Sequence, residues 1–412
     1  MVRFAAILFF LHLASLYALA QHARCGAVEH RQQNWALHPG CKEIAAINET
    51  FIENWIDRYK LAPSSRSVVT IPVVVHVVWN TNEQNISDAQ IYSQIAVLNQ
   101  DYRAQNVEAP SVPLVFQDAL ADVAIEFCLA SKDPSGAPTN GITRTYTDNS
   151  VGIAGTVSLH YTNLGGQDAW DTEHYLNIWV AKFAGAVGGI ASFPGEDPPE
   201  QDGVEIDYRQ FGNIALEPPY HLGRTATHEI GHYFNLEHPW GPLFNDCCAD
   251  DFVDDTPEAC ETYLSQCPVH PVVSCDEADM FMNFMFYTDD ACMAMFTKGQ
   301  KMRMWATLNG PRSGLLESNG CNSTPTTEAA LSEEFLIFSN PANSVFSFEI
   351  KSNSSGTWQV QLSDVLGRIV EVGTAYPNVR SEFGVRNLVS GIYWLKAKKG
   401  MKILAAKIAL LR

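Results

Sequence analysis

Positive charge is scarce over most of this 412-residue chain: 27 Lys and Arg stand against 46 Asp and Glu, a formal net charge of −19. The scarcity is local. Residues 336–412 carry ten Lys/Arg and four Asp/Glu, about +6, which leaves about −25 for residues 1–335. So acidic a body excludes nucleic acid and anionic membrane as partners, because binding phosphate needs clustered cations. Bound cations suit it better. No internal repeat is present, and no nucleophile motif surrounds a cysteine, which argues against a cysteine protease built on Cys128 or a loop cysteine. Beyond the N-terminus no apolar run reaches membrane-spanning length.

The N-terminus itself reads Met1-Val2-Arg3, then an apolar run to about Leu16, then Ala18-Leu19-Ala20 before Gln21. This is the pattern of a secretory signal peptide over 1–20, the run being short for a retained anchor. Export also fits ten cysteines, seven of them from Cys247 to Cys321, since such a cluster outside the cell favours disulfides. Spacing alone does not give their pairing.

At this length two or more folded units are expected. Residues 21–66 are polar, with one amphipathic stretch around Ile44–Tyr59 of helical character, and read as a propeptide accessory to the core. The core, 67–320, opens on a β-branched run from Val68 to Trp79 typical of a buried strand. A helix follows, capped by Ser87 or Asp88, with Ile91, Ile95, Leu98 and Tyr102 on one face. Further strands are expected at Ala124–Leu129, Tyr175–Lys182 and Val204–Tyr208, giving an α/β core. The stretch 240–300, dense in Cys, Asp, Pro and Gly, should be irregular and stapled. Residues 321–335 read as a linker. From 336 to 412, short alternating strands at Val345–Ile350, Trp358–Leu362, Ile392–Ala397 and Ile403–Leu410 predict a small β-sandwich.

The central signal is the eleven-residue run from His228 to His238, H-E-I-G-H-Y-F-N-L-E-H. Residues four apart share a helix face, so His228 and His232 can present both imidazoles to one zinc ion, with Glu229 beside them as general base. His238, six residues later, is the third ligand if the chain turns back, and Asn235 is where the turn is expected, since Asn readily adopts the left-handed conformation. Glu237 is read as a solvated carboxylate. The acidic run from Asp246 to Asp255 offers clustered oxygens of the kind that Ca²⁺ takes; a solvated acidic loop is the alternative.

These residues resemble the metzincin metalloproteases, with Asn235 standing where Gly is usual, and more closely the pappalysin family. The likeness spans about 68–310 and rests on three further segments, 202–208, 251–257 and 283–292, the last resembling the family's Met-turn with Phe286 where Asp is expected. The resemblance implies an α/β (α+β) catalytic domain with a mixed twisted sheet, and Met285 as a hydrophobic floor under the histidines rather than ordinary core. It also implies Ca²⁺ in the acidic loop, with Asp251, Asp254 and Thr256 as first candidates. Cys267 is expected to pair with Cys292, and Cys275 with Cys247 or Cys248. Tyr287 can hydrogen-bond the oxyanion or simply pack. Asp289 and Asp290 can favour a basic substrate side chain, as in some relatives.

Arg24-Cys25-Gly26 resembles a cysteine switch, in which a propeptide thiolate takes the open zinc position; a Cys25–Cys41 disulfide is the alternative. Ser64-Ser65-Arg66-Ser67 looks like an activation site. The tail segments 338–342, 362–368 and 388–393 resemble the sorting domain of bacterial type IX secretion, against an ordinary binding module on the same fold. The expectation is a bacterial, secreted or cell-surface, monomeric zinc endopeptidase made latent, acting on proteins or peptides and engaging secretion machinery through its tail. An inactive zinc-binding adhesin of the same fold is the alternative.

Overall fold

The computed structural model describes residues 24–59, 67–241, 250–321, 334–338, 342, 345–351, 357–364, 368–376, 379–399 and 402–410. The expected signal peptide, residues 64–66 of the expected activation site, Cys247, Cys248 and most of the expected linker lie outside these. The chain divides into two compact units, Met1–Ser323 and Thr324–Arg412.

The first unit is organised by β1 (Val69–Trp79), whose β-branched residues are buried on both faces, as a central parallel strand requires. One edge of β1 pairs in parallel with β2 (Ile125–Leu129) and then β3 (Ile142–Tyr146); the other pairs with β4 (Leu176–Ala181). The sheet continues through β6 (Val204–Asp207) to β5 (Gly189–Ala191), the sole antiparallel member. Sequence reading passes over the three-residue β5, which has one β-branched residue, and over β3, although Ile142, Thr143 and Thr145 give it a β-branched character.

Two helices precede the sheet: α1 (Ala27–Leu37) and α2 (Pro39–Tyr59). Only the second carries an amphipathic pattern. It buries Ile52 and Trp55 against Ala124, Trp305 and Ala306. The next helix, α3 (Asp88–Tyr102), is capped by Ser87, whose hydroxyl accepts from the Gln90 amide at 3.2 Å. Of its expected apolar face Ile91, Leu98 and Tyr102 are buried and Ile95 is partly so, and Gln94 and Asp101 are buried on the same side. Their work is to hold the helix α4 (Arg224–Tyr233). Gln94 donates to the Gly223 carbonyl (2.9 Å), the Thr227 hydroxyl donates to Asp101 (2.7 Å), and Tyr102 donates to the Thr227 carbonyl (3.2 Å).

Beyond α4 the described residues are mostly in turns until α5 (Lys298–Leu308), which a Thr297–Gln300 capping box starts. Cys267 pairs with Cys292 as expected, and Cys275 is also disulfide-bonded. Cys128 is bonded to Cys321. That removes Cys128 as a nucleophile and ties the end of this unit to β2. Cys25 and Cys41 are both free thiols, so the disulfide alternative for Cys25 fails.

In the second unit, β7 (Glu334–Phe338), β8 (Val345–Lys351) and β11 (Ser381–Gly384) form one sheet. The other comprises β9 (Trp358–Asp364), β10 (Ile369–Ala375), β12 (Gly391–Lys399) and β13 (Lys402–Leu410). Phe346, Phe348, Trp358, Val360, Leu362 and Leu395 share its core. The four expected strands are present, and three more join them.

Candidate active site

Gly223 starts α4 with φ +82°, and Asn235 reverses the chain after it with φ +66°. The reversal is a Schellman motif: the Leu236 amide donates to the Gly231 carbonyl (3.0 Å) and the Asn235 amide to that of His232 (2.8 Å). It returns the chain so that His238 meets the helix. The Nε2 atoms of His228, His232 and His238 then lie 3.0–3.2 Å from one another, all three rings buried.

The tautomers follow from the other ring nitrogens. His228 Nδ1 donates to the Phe284 carbonyl (2.8 Å) and His232 Nδ1 to that of Leu236 (2.6 Å), so both Nε2 atoms carry lone pairs toward the same point. Lone pairs this close repel unless a cation lies between them. Nitrogens bound tetrahedrally at about 2.0–2.1 Å would stand about 3.3 Å apart, close to the spacing here. Burial and the neighbouring imidazoles hold His228 and His238 well below the ordinary histidine value, and burial brings His232 to about 4, which keeps the rings neutral and ligand-ready.

Met285 packs against α4 at Gly231. A Cβ at Gly231 would collide with its sulfur, so the glycine inside the motif is demanded by close approach. The ring of Tyr287 lies 5.5 Å from that of His228 and 5.0 Å from that of His238. Its hydroxyl donates to the Cys25 carbonyl at 3.5 Å.

Cys25 completes the group, its sulfur within 4.8 Å of the three histidine nitrogens. It also lies 3.4 Å from Glu229 Oε2. Burial pushes Glu229 up to about 8. The segment carrying Cys25 lies along the edge strand: the Gly26 amide donates to the Gly189 carbonyl and the Gly188 amide to the Arg24 carbonyl, both at 2.9 Å. A Cβ at Gly189 would strike the Glu229 carboxylate, so this strand runs against the base with no side chain between.

Arg24 is fully enclosed. It pairs with Asp290 (2.7 Å), donates to the Thr288 carbonyl (2.8 Å) and lies 4.5 Å over the Tyr220 ring. Asp289 instead caps the short turn at Asp290–Cys292. Phe286 packs against Trp240 and Tyr263. Glu237 is not solvated: it forms a two-pronged pair with Arg31 of α1, at 2.5 and 3.0 Å. Of the calcium candidates, Asp251 accepts from the Thr256 hydroxyl with both oxygens (2.9 and 2.7 Å), and burial raises it to about 7. Asp254 and Thr256 line a cavity with Asp250, Asp255, Asp276 and Glu277.

Histidines converging on one point near the edge strand of a mixed sheet, beside a buried glutamate, define a zinc-dependent metalloprotease. Residues 162–309 match the peptidase family described as pregnancy-associated plasma protein-A, and residues 336–410 match the secretion system C-terminal sorting domain. Mature mirolysin of Tannerella forsythia, solved with a cleaved peptide, is 44% identical with a TM-score of 0.57, the match covering 61% of this chain and 96% of that one. A promirolysin mutant from the same organism is 40% identical with a TM-score of 0.61, covering 72% and 97%. An extracellular metalloprotease of Arthroderma gypseum is 28% identical over 299 residues, 70% of this chain and 84% of that protein. The chain therefore belongs to the pappalysin family, with a type IX secretion tail. It is a secreted zinc endopeptidase made as a zymogen.

Proposed function

We propose that His228, His232 and His238 hold the zinc, that Glu229 is the general base, and that Tyr287 stabilises the oxyanion. The observation that carries this reading is the meeting of three Nε2 atoms within 3.2 Å, two of them with their Nδ1 protons committed to carbonyls. When bound, the zinc ion supplies a Lewis acid beside the scissile bond. Glu229 takes a proton from the attacking water and passes it to the leaving amide nitrogen. Tyr287, which here donates to the Cys25 carbonyl, would donate to the substrate carbonyl as that oxygen gains charge. Substrate would add to the exposed edge of β5, where residues 24–26 now lie.

Cys25 is the latency ligand in this reading, residues 21–66 are the propeptide, and the 64–67 stretch is its cleavage site. Residues 1–20 serve as the export signal. Asp290 ends a pocket for a basic substrate side chain, supported by the guanidinium of Arg24 now held there. Asp251, Asp254 and Thr256 contribute to a Ca²⁺ site, supported by the acidic cavity beside them.

The test is Glu229→Gln in the activated enzyme, with zinc content measured beside hydrolysis of casein. Zinc should stay stoichiometric while turnover falls at least about 100-fold. Retained turnover would sink the assignment.

A further inference from the structure

Arg31 of α1 occupies a socket built for a guanidinium. Two of its nitrogens face the two oxygens of Glu237 at 2.5 and 3.0 Å, and its flat head lies 4.0 Å over the ring of Phe193. A forked carboxylate pair under an aromatic face selects Arg over Lys, whose ammonium is a point charge. The socket is nearly sealed, with the Arg31 and Glu237 side chains 9% and 11% exposed.

Both walls of the socket belong to the catalytic unit, and both adjoin the histidine cluster. Glu237 directly precedes His238, and the Phe193 ring lies 5.3 Å from that of His232. The Arg24 socket is at the other end of α4, where Asp290 accepts from the Leu222 and Arg224 amides. Two guanidinium sockets thus stand at the two ends of the active-site helix. In the latent chain each is filled by an arginine of the N-terminal segment, one on either side of Cys25.

We propose that activation exposes Glu237 and Phe193 as a second specificity socket, which takes an arginine of the peptide substrate across the scissile bond from the Asp290 pocket. This rests on the peptidase reading above. Removing α1 strips Glu237 of the only cation that an ion pair gives it among the described residues, and a carboxylate left in such surroundings favours capture of another guanidinium.

The test uses activated enzyme and a peptide series with a fixed cleavage site, in which Arg or its uncharged isostere citrulline is placed at each successive position on both sides. Two positions should show an Arg/citrulline ratio in kcat/KM of about tenfold or more, one on each side of the scissile bond. Glu237→Gln should collapse the ratio at one of them toward unity and leave the other position selective for Arg; Phe193→Leu should lower the same ratio part of the way. Zinc content is measured in parallel. If wild type shows one Arg-sensitive position, or if the second survives Glu237→Gln, the socket is overturned while the peptidase reading stands. If wild type cleaves no peptide, both fall. Where Glu237→Gln does not fold, Phe193→Leu decides: the second position should lose part of its Arg/citrulline ratio while the first keeps its own, and ratios unchanged at both positions overturn the socket.

Discussion

Asn235 holds a backbone conformation that costs an ordinary residue about 1–2 kcal/mol, and the third histidine depends on it. Asn235→Gly should therefore be tolerated, whereas Asn235→Val should lower stability by about 1–2 kcal/mol and release zinc more readily. A denaturant midpoint and a chelator competition measure the two effects; unchanged values for the valine variant would remove the turn from the account. Tyr287→Phe keeps the ring against His228 and His238 but loses the donor, so kcat should fall roughly 10–1000-fold with zinc retained. Asn235 is legible in the sequence once a helix through His228 is assumed, since the reversal is local; the demand on Gly231 is not, because it comes from Met285, far along the chain. Glu237 was not legible. Its partner lies 206 residues away, so a glutamate there reads as one more solvated acid.

Four ion pairs join residues 24–59 to the rest of this unit: Arg24 to Asp290, Arg31 to Glu237, His30 to Asp197 and Glu49 to Arg303; in the proposed reading this segment is the plug. With so many anchors, Cys25→Ala should shorten latency without abolishing it, as read from the lag before activity appears. An unchanged lag would exclude a thiol switch. The plug should also respond to pH. Burial works against a charge on His30, yet Asp197 at 2.7 Å holds its pKa above the ordinary value. A histidine raised in this way stabilises docking fully below about pH 6.5, and that contribution is lost as pH rises through the docked value. In a Cys25→Ala zymogen, the ratio of its activity to that of activated enzyme should therefore rise from pH 6 to pH 8. Taking the ratio cancels the pH dependence of catalysis, and a flat ratio would contradict the proposal. The second of these helices announces itself by periodicity; α1 does not, because it buries Ala27, Val28 and Arg31 rather than an apolar stripe.

Over the whole molecule, Cys128–Cys321 closes a loop of 193 residues around the catalytic unit. Replacing both cysteines by serine should cost about 2–5 kcal/mol, seen as a lower melting temperature under non-reducing conditions. An equal melting temperature would mean that the bond constrains nothing beyond what packing already does. The sequence by itself determined that His228, His232 and His238 meet beside Glu229, because four residues within eleven need only one helix and one reversal to meet. It also determined the buried parallel core, through the β-branched run of β1, and the β-rich tail, through its alternation and turns. Only the tertiary structure decided what lies against the triad. Arg24 reaches Asp290 across 266 residues of chain and Arg31 reaches Glu237 across 206. Contacts at such separation leave no period or spacing in a sequence; they arise where the packed sheet and helices bring distant segments to one edge strand.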